Sequence, residues 1–142
     1  MSTPISQFNA QSLSQYLKYI SFKKFNFNKI EPGNSVDVNL SVDTKALGPN
    51  GTYEVSLVLS VTCTKADGSK VFSLDAEYAG SFRIFSTEGV EREIMLMVYC
   101  PTILFPFLRR VVSDITSEAG LQPLLLSTVD FSELYEQRQG LQ

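Results

Sequence analysis

Apolar and polar residues alternate along much of the first half of the chain, with the period of two that is typical of β-strands. In residues 36–42, Val and Leu alternate strictly with Asp, Asn and Ser, which predicts a strand with one face on a core and the other in water. Residues 53–64 repeat the pattern. Residues 71–85 are predicted to be a returning strand, because Asp67-Gly68 favours a hairpin before them.

An earlier segment, residues 16–30, also has the composition of a strand. Its apolar positions fall at 20 and 22 and then at 25 and 27, so the parity of the alternation changes near Lys23 and Lys24. A change of parity exchanges the two faces of a strand, and we therefore expect a β-bulge at this point.

The period changes in the second half of the chain. Apolar residues that follow Pro101 recur on one helical face: Leu104, Leu108, Val111, Val112 and Ile115. Gly120 is placed to end this helix, while Pro106 predicts a kink or a delayed start.

Asp130 and Glu133 resemble a capping box and predict a short C-terminal helix. Four consecutive strands followed by two helices predict an α+β domain with a four-stranded antiparallel sheet, a long helix and a short C-terminal helix. We expect residues 1–15 to form an N-terminal tail, residues 16–139 a single domain and residues 140–142 a C-terminal tail.

The composition favours a globular domain, with 44% hydrophobic and 19% charged residues among 142. Ten Phe residues in a domain of this size either fill a core or line a surface that binds other apolar groups. The net charge of −3, with no cluster of Lys or Arg, argues against nucleic-acid binding. The first ten residues lack the features of a secretory signal, so we expect a cytoplasmic protein.

The residue types limit the chemistry. The sequence contains no His, which excludes His-based triads and His-ligated zinc. Cys63 and Cys100 are interpreted as small apolar side chains within packed elements. We expect no enzyme activity, cofactor or metal. An enzyme hypothesis would rely on Asp75, Glu77 or Tyr78 as acid–base groups, although alternating polar residues on a strand are more typical of its solvated face.

The most unusual segment is residues 99–107, Tyr-Cys-Pro-Thr-Ile-Leu-Phe-Pro-Phe. It resembles the hallmark segment at the start of the long helix in the SecB family of protein-export chaperones. Shorter similarities occur in the family's order along residues 16–135: Ile20-Ser21-Phe22, Tyr53-Glu54-Val55, Gly80 with Phe82, Glu88-Gly89, and Val129 with Phe131.

The resemblance implies a homotetramer, a dimer of dimers, that holds unfolded polypeptides in apolar grooves without ATP and passes preproteins to the SecA motor. It also implies four residues of the client-binding groove: Phe105, Phe107, Phe131 and Leu134. We add Leu124 and Leu126, because the leucine run after Pro123 has no helical period that would bury it. Core packing remains the alternative for each of these six residues.

The resemblance places the motor-docking surface partly on acidic residues that flank the Ile-Ser-Phe segment. This chain has Tyr19 and Lys23 at those positions, and Asp75 at an acidic position of the fourth strand. An alternative function is therefore a SecB-like chaperone dedicated to a specific client, such as the antitoxin of a toxin–antitoxin system. A binding adaptor with one fixed partner is a third hypothesis.

Overall fold

A computed structural model describes residues 10–25, 34–85 and 89–140 of the chain. The predicted α+β class is confirmed, since four strands precede the helices. The strands form one antiparallel sheet in the order β1-β4-β3-β2. Their bounds are β1 Ala10–Lys24, β2 Ser35–Ala46, β3 Thr52–Thr64 and β4 Lys70–Ile84.

The helical half begins earlier than the sequence predicted. It consists of α1 (Gly89–Ile94), a π-helical turn (Met95–Tyr99), α2 (Cys100–Glu118) and, after an irregular segment, α3 (Phe131–Gly140). The N–H of Cys100 donates to the carbonyl of Met95, five residues back. This wide turn lies directly before Pro101, which has no N–H and would interrupt the hydrogen-bond pattern of a regular α-helix.

The prediction for Pro106 was wrong in one respect, because this residue does not delay the helix. α2 continues through it from Cys100 to Glu118. A π-helical turn precedes α2 instead, at Met95–Tyr99.

β1 differs from the prediction in its start and in the position of its irregularities. It includes residues 10–15, which the sequence had assigned to the N-terminal tail. Its pairing with β4 shifts between residues 12 and 14 and between residues 17 and 19, whereas Lys23 and Lys24 pair regularly. The parity change coincides with the end of the strand at Lys24, and residues 26–30 of the predicted strand lie outside the described residues.

The hydrophobic core lies between the sheet and α2. The alternation predicted for β3 is confirmed, since five of its apolar side chains are buried: Val55, Leu57, Leu59, Val61 and Cys63. The helical run Gly89–Glu118 is long and apolar enough to cross a membrane by length and composition alone. In this fold one face of the helical run packs into the core, and the fully buried apolar residues of that face are Cys100, Leu104, Leu108 and Val112.

β2 is the outermost strand on its side of the sheet, and its apolar face is incompletely covered. Val36 and Val38 are 38% and 47% exposed, whereas Leu40 and Val42 are partly buried. The expectation that this face lies on a core is thus wrong for the first half of the strand. The long helix α2 packs on β3 and β4, and residues of α3 lie beside Val42 of β2.

Candidate functional site

An open apolar groove with a volume of about 580 Å³ runs along the uncovered half of β2. Val36 and Val38 form one side of it, and residues 124–129 form the other. Leu59 of β3 and Phe105 of α2, both buried, lie at its base. The groove therefore exists because an edge strand and an irregular segment face each other across the gap that the helices leave.

Residues 121–130 lie between α2 and α3 and are called the leucine segment below. Leu121 and Leu126 are buried, with exposures of 6% and 5%, and anchor the segment to the core. Leu124 is partly buried, whereas Leu125 is 63% exposed. The segment thus presents an apolar side chain to solvent beside the groove while its neighbours hold it in place.

The structure brings four of the six predicted groove residues together. Phe105, Leu124, Leu126 and Leu134 all line the groove. Phe131 lies just outside it: this residue is 2% exposed and packs edge-on against Phe105, with ring centroids 6.0 Å apart. The burial of Phe105, Leu126 and Phe131 means that each also contributes to the core.

Phe107 lies elsewhere. Its ring stacks on Tyr78 with a centroid distance of 6.1 Å, and the side chain is 45% exposed. Ile103 and Tyr99, four and eight residues earlier, are also exposed, at 40% and 37%. Residues four apart share a helical face, so these three side chains form an apolar stripe from the end of the π-helical turn into α2, separate from the groove.

The groove residues that sequence reasoning missed include three exposed apolar side chains: Val36, Val38 and Leu125. The strict alternation of β2 had marked both valines as core residues, and nothing local indicates that this strand is at an uncovered edge. Leu125 belongs to the leucine run after Pro123, but the sequence of this run does not indicate which of its leucines is exposed.

The N-terminus of α3 is fixed as its sequence predicted. The carboxylate of Asp130 accepts a hydrogen bond from the N–H of Glu133 at 3.2 Å, and the Asp130 carbonyl accepts from Leu134 at 3.1 Å. An N-cap of this kind satisfies N–H groups that have no partner within the helix. The cap therefore sets where α3 begins and places Leu134 against the groove.

The opposite face of the sheet is polar and carries the three predicted docking residues. In β1, Tyr19 pairs with Glu77 and Lys23 pairs with Ser73, on either side of Asp75 in β4. Paired residues project to the same side of a sheet, and so do residues two apart on a strand. Tyr19, Lys23 and Asp75 consequently share one surface, turned away from the groove.

A charged cluster on this face spans three strands. Lys18 Nζ lies 2.7 Å from Glu54 Oε1 and 3.7 Å from Glu77 Oε2. The Tyr16 hydroxyl donates to Glu54 Oε2 at 2.6 Å. Hydrogen bonds from Lys18 and Tyr16 lower the pKa of Glu54, while burial and the bond to Glu54 raise the pKa of Tyr16 to about 12. Glu54 thus stays ionised and Tyr16 stays protonated near neutral pH.

These positions argue against the enzyme hypothesis. Asp75 and Glu77 lie on the polar face, where Asp75 is exposed and Glu77 is in the ion pair with Lys18. Tyr78 projects to the opposite side and stacks on Phe107. In residues 10–25, 34–85 and 89–140, no group of three or more Cys, Asp or Glu side chains is arranged to hold a metal ion.

Comparisons with known proteins show the family of the chain. The family model described as preprotein translocase subunit SecB matches residues 4–142. Protein-export protein SecB of Hyphomonas neptunium is 36% identical over 125 residues, which cover 87% of this chain and 75% of the relative. The SecB protein of Ruegeria pomeroyi is 36% identical over 137 residues, covering 91% and 81%.

A solved structure also has this fold. It is that of a SecB-like chaperone of Mycobacterium tuberculosis in complex with an antitoxin peptide, with a TM-score of 0.76 over 88% of this chain and 94% of that chain. At 19% identity, this likeness concerns the fold alone. The family model and the relatives at 36% identity both extend over most of the chain, and the protein therefore belongs to the SecB family.

Proposed function

We propose that this protein is an ATP-independent holdase chaperone of protein export, which binds unfolded preproteins in the groove along β2. The family to which the chain belongs consists of non-enzymatic cytoplasmic chaperones, and we infer the same compartment here. The observation that carries the proposal is the groove itself, which is apolar and open along its length.

The edge of β2 supports binding of an extended client. Within the described part of the chain, β2 pairs with β3 alone, so its outer edge offers main-chain N–H and C=O groups. An extended polypeptide can hydrogen bond to such an edge whatever its side chains are. Apolar client side chains would meet Val36, Val38 and Leu125, and polar side chains would meet Ser127 and Thr128 at the rim. These contacts tolerate many sequences.

The proposal predicts that the protein suppresses aggregation of a chemically unfolded client at stoichiometric ratios without nucleotide. Val38→Asp, which places a charge in the groove, should abolish most of this effect. The matched control is Val90→Asp, because Val90 is 70% exposed on α1 and is not among the groove residues. Equal suppression by the two variants would contradict the proposal, and so would no suppression by the unchanged protein.

We also infer that the chain assembles into a homotetramer, a dimer of dimers. Two features support self-association. The apolar stripe of Tyr99, Ile103 and Phe107 is exposed, and exposed apolar patches are typical of interfaces. β1 is the other edge strand, and its Leu13 and Leu17 are 45% and 41% exposed.

Light scattering on a sizing column measures the assembly directly. We expect a mass four times that of the 15.8 kDa chain. Ile103→Asp should yield smaller species and Val90→Asp should leave the mass unchanged. A monomeric unchanged protein at micromolar concentration would refute the assembly.

Delivery to the SecA motor is proposed to use the polar face that carries Tyr19, Lys23 and Asp75. The family's acidic docking positions here hold Tyr19 and Lys23, so restoring acidity should strengthen docking if this face is used. We expect Lys23→Glu to raise the affinity for SecA, measured by surface plasmon resonance. No change in affinity would place docking elsewhere or remove it.

The alternative is a chaperone dedicated to one client. A solved structure of similar fold contains an antitoxin peptide. The presence of Tyr19 and Lys23 in place of the family's acidic docking residues also supports this alternative. A competition assay separates the two functions. Unrelated unfolded peptides that compete equally for the groove favour a general export chaperone, whereas one dominant ligand favours a dedicated chaperone.

A further inference from the structure

The leucine segment is an unusual wall for a binding groove, because it lacks regular structure. Among the described residues, no backbone–backbone hydrogen bond joins residues 122–129 to the rest of the fold. A segment of this kind would ordinarily open at low free-energy cost. Burial of Leu121 and Leu126 anchors it to the core, and contacts to its main chain are what can fix its distance from β2.

Two side chains of α2 provide such contacts. The Thr116 hydroxyl accepts a hydrogen bond from the N–H of Leu124 at 2.9 Å and donates to the carbonyl of Val112 at 2.9 Å. Arg109 Nε donates to the carbonyl of Leu126 at 2.8 Å. Both bonds end on the main chain of the leucine segment, on either side of Leu125.

The setting of these bonds makes them stronger than surface contacts. Thr116 is fully buried, so without its hydroxyl the Leu124 N–H would have to find another partner in a largely apolar environment. Arg109 contributes a charged donor, and such bonds are stronger than neutral ones. The neighbouring Arg110 differs: its side chain is 79% exposed and forms an i,i+4 ion pair with Asp114 at 3.7 Å.

We infer that Arg109 and Thr116 are positioning residues for client binding. They hold the leucine segment at its distance from β2, and so set the width of the groove and the size of client side chain that fits it. The inference rests on the proposed function, since it concerns the affinity and selectivity of the same groove.

The test compares Arg109→Met and Thr116→Val with two controls, Arg110→Met and Thr116→Ser. Arg110→Met removes the same charge one position away, and Thr116→Ser keeps the hydroxyl. The probes are two labelled peptides with Leu at alternate positions, one of which has a central Leu replaced by Trp. The dissociation constants of both peptides are measured by fluorescence anisotropy.

We expect Arg109→Met and Thr116→Val each to weaken binding of the Leu peptide about three- to tenfold, the effect of one lost hydrogen bond. Binding of the Trp peptide should weaken less, because a looser wall admits a larger side chain. The controls should stay within about twofold of the unchanged protein. A merely structural role would weaken both peptides by the same factor.

Hydrogen exchange provides a measurement that needs no client. The amides of residues 124–126 should exchange faster in both variants, whereas those of Leu57 and Leu59 in β3 should not. Unchanged exchange at 124–126 would refute the inference even if clients bind. If the unchanged protein binds neither peptide, the proposed function fails, and the inference about client selectivity fails with it.

Discussion

Leu125 offers the sharpest test of the groove, because it is 63% exposed. Burying a leucine side chain completely is worth about 1.5–3 kcal/mol. A client that covered the exposed 63% of Leu125 would then gain about 1–2 kcal/mol. We therefore expect Leu125→Asn, which replaces the apolar side chain by a polar one of similar size, to raise the client dissociation constant about 5- to 30-fold.

The assay is fluorescence anisotropy with a labelled unfolded client, together with urea unfolding. Because Leu125 is exposed in the free protein, the free energy of unfolding should change by less than about 0.5 kcal/mol. The matched control is Leu47→Asn, since Leu47 is 47% exposed just after β2 and is not among the groove residues. Dissociation constants that agree within about twofold for the two variants would refute the assignment of Leu125 to client binding.

Three further predictions concern the fold and its charges. Leu104→Ala should lower the free energy of unfolding in urea by about 2–5 kcal/mol, because Leu104 is fully buried between α2 and the sheet; a loss below about 1 kcal/mol would contradict this packing. Cys63 and Cys100 should resist thiol reagents until the protein unfolds, because both side chains are fully buried and burial raises the pKa of Cys100 to about 12. Rapid labelling of either thiol in the native protein would contradict this prediction. Because the pKa of Glu54 is lowered in the folded state, this carboxylate stabilises the fold fully above its ordinary pKa of 4.5, and the stabilisation is lost as the pH falls through the lower folded-state pKa. Glu54→Gln should therefore lose less stability on acidification than the unchanged protein, as measured by urea unfolding at a series of pH values. An equal loss in both proteins would exclude this role.

The sequence by itself determined the elements whose signals are local. The alternation in β3 and the Asp67-Gly68 turn depend only on neighbouring residues, and Gly68 indeed adopts a positive φ of 90°. Asp130 caps α3 as its spacing from Glu133 indicated. The segment around Pro101 was distinctive enough to indicate the family. Period and turn chemistry act within a few residues, which is why these predictions held.

Only the tertiary structure decided which apolar residues line a groove. Val38 and Leu59 occur in equally regular alternations, yet Val38 is 47% exposed and Leu59 is 1% exposed. The difference arises from the order of strands in the sheet and from where α2 packs, which are long-range properties.

Phe105 and Phe107 make the same point within one motif. Both belong to the segment that resembles the family's hallmark, but residues two apart on a helix project about 200° apart around its axis. Phe105 consequently lies at the base of the groove, whereas Phe107 stacks on Tyr78. The motif identified the helix, and the direction in which that helix packs on the sheet assigned each aromatic ring to its surface.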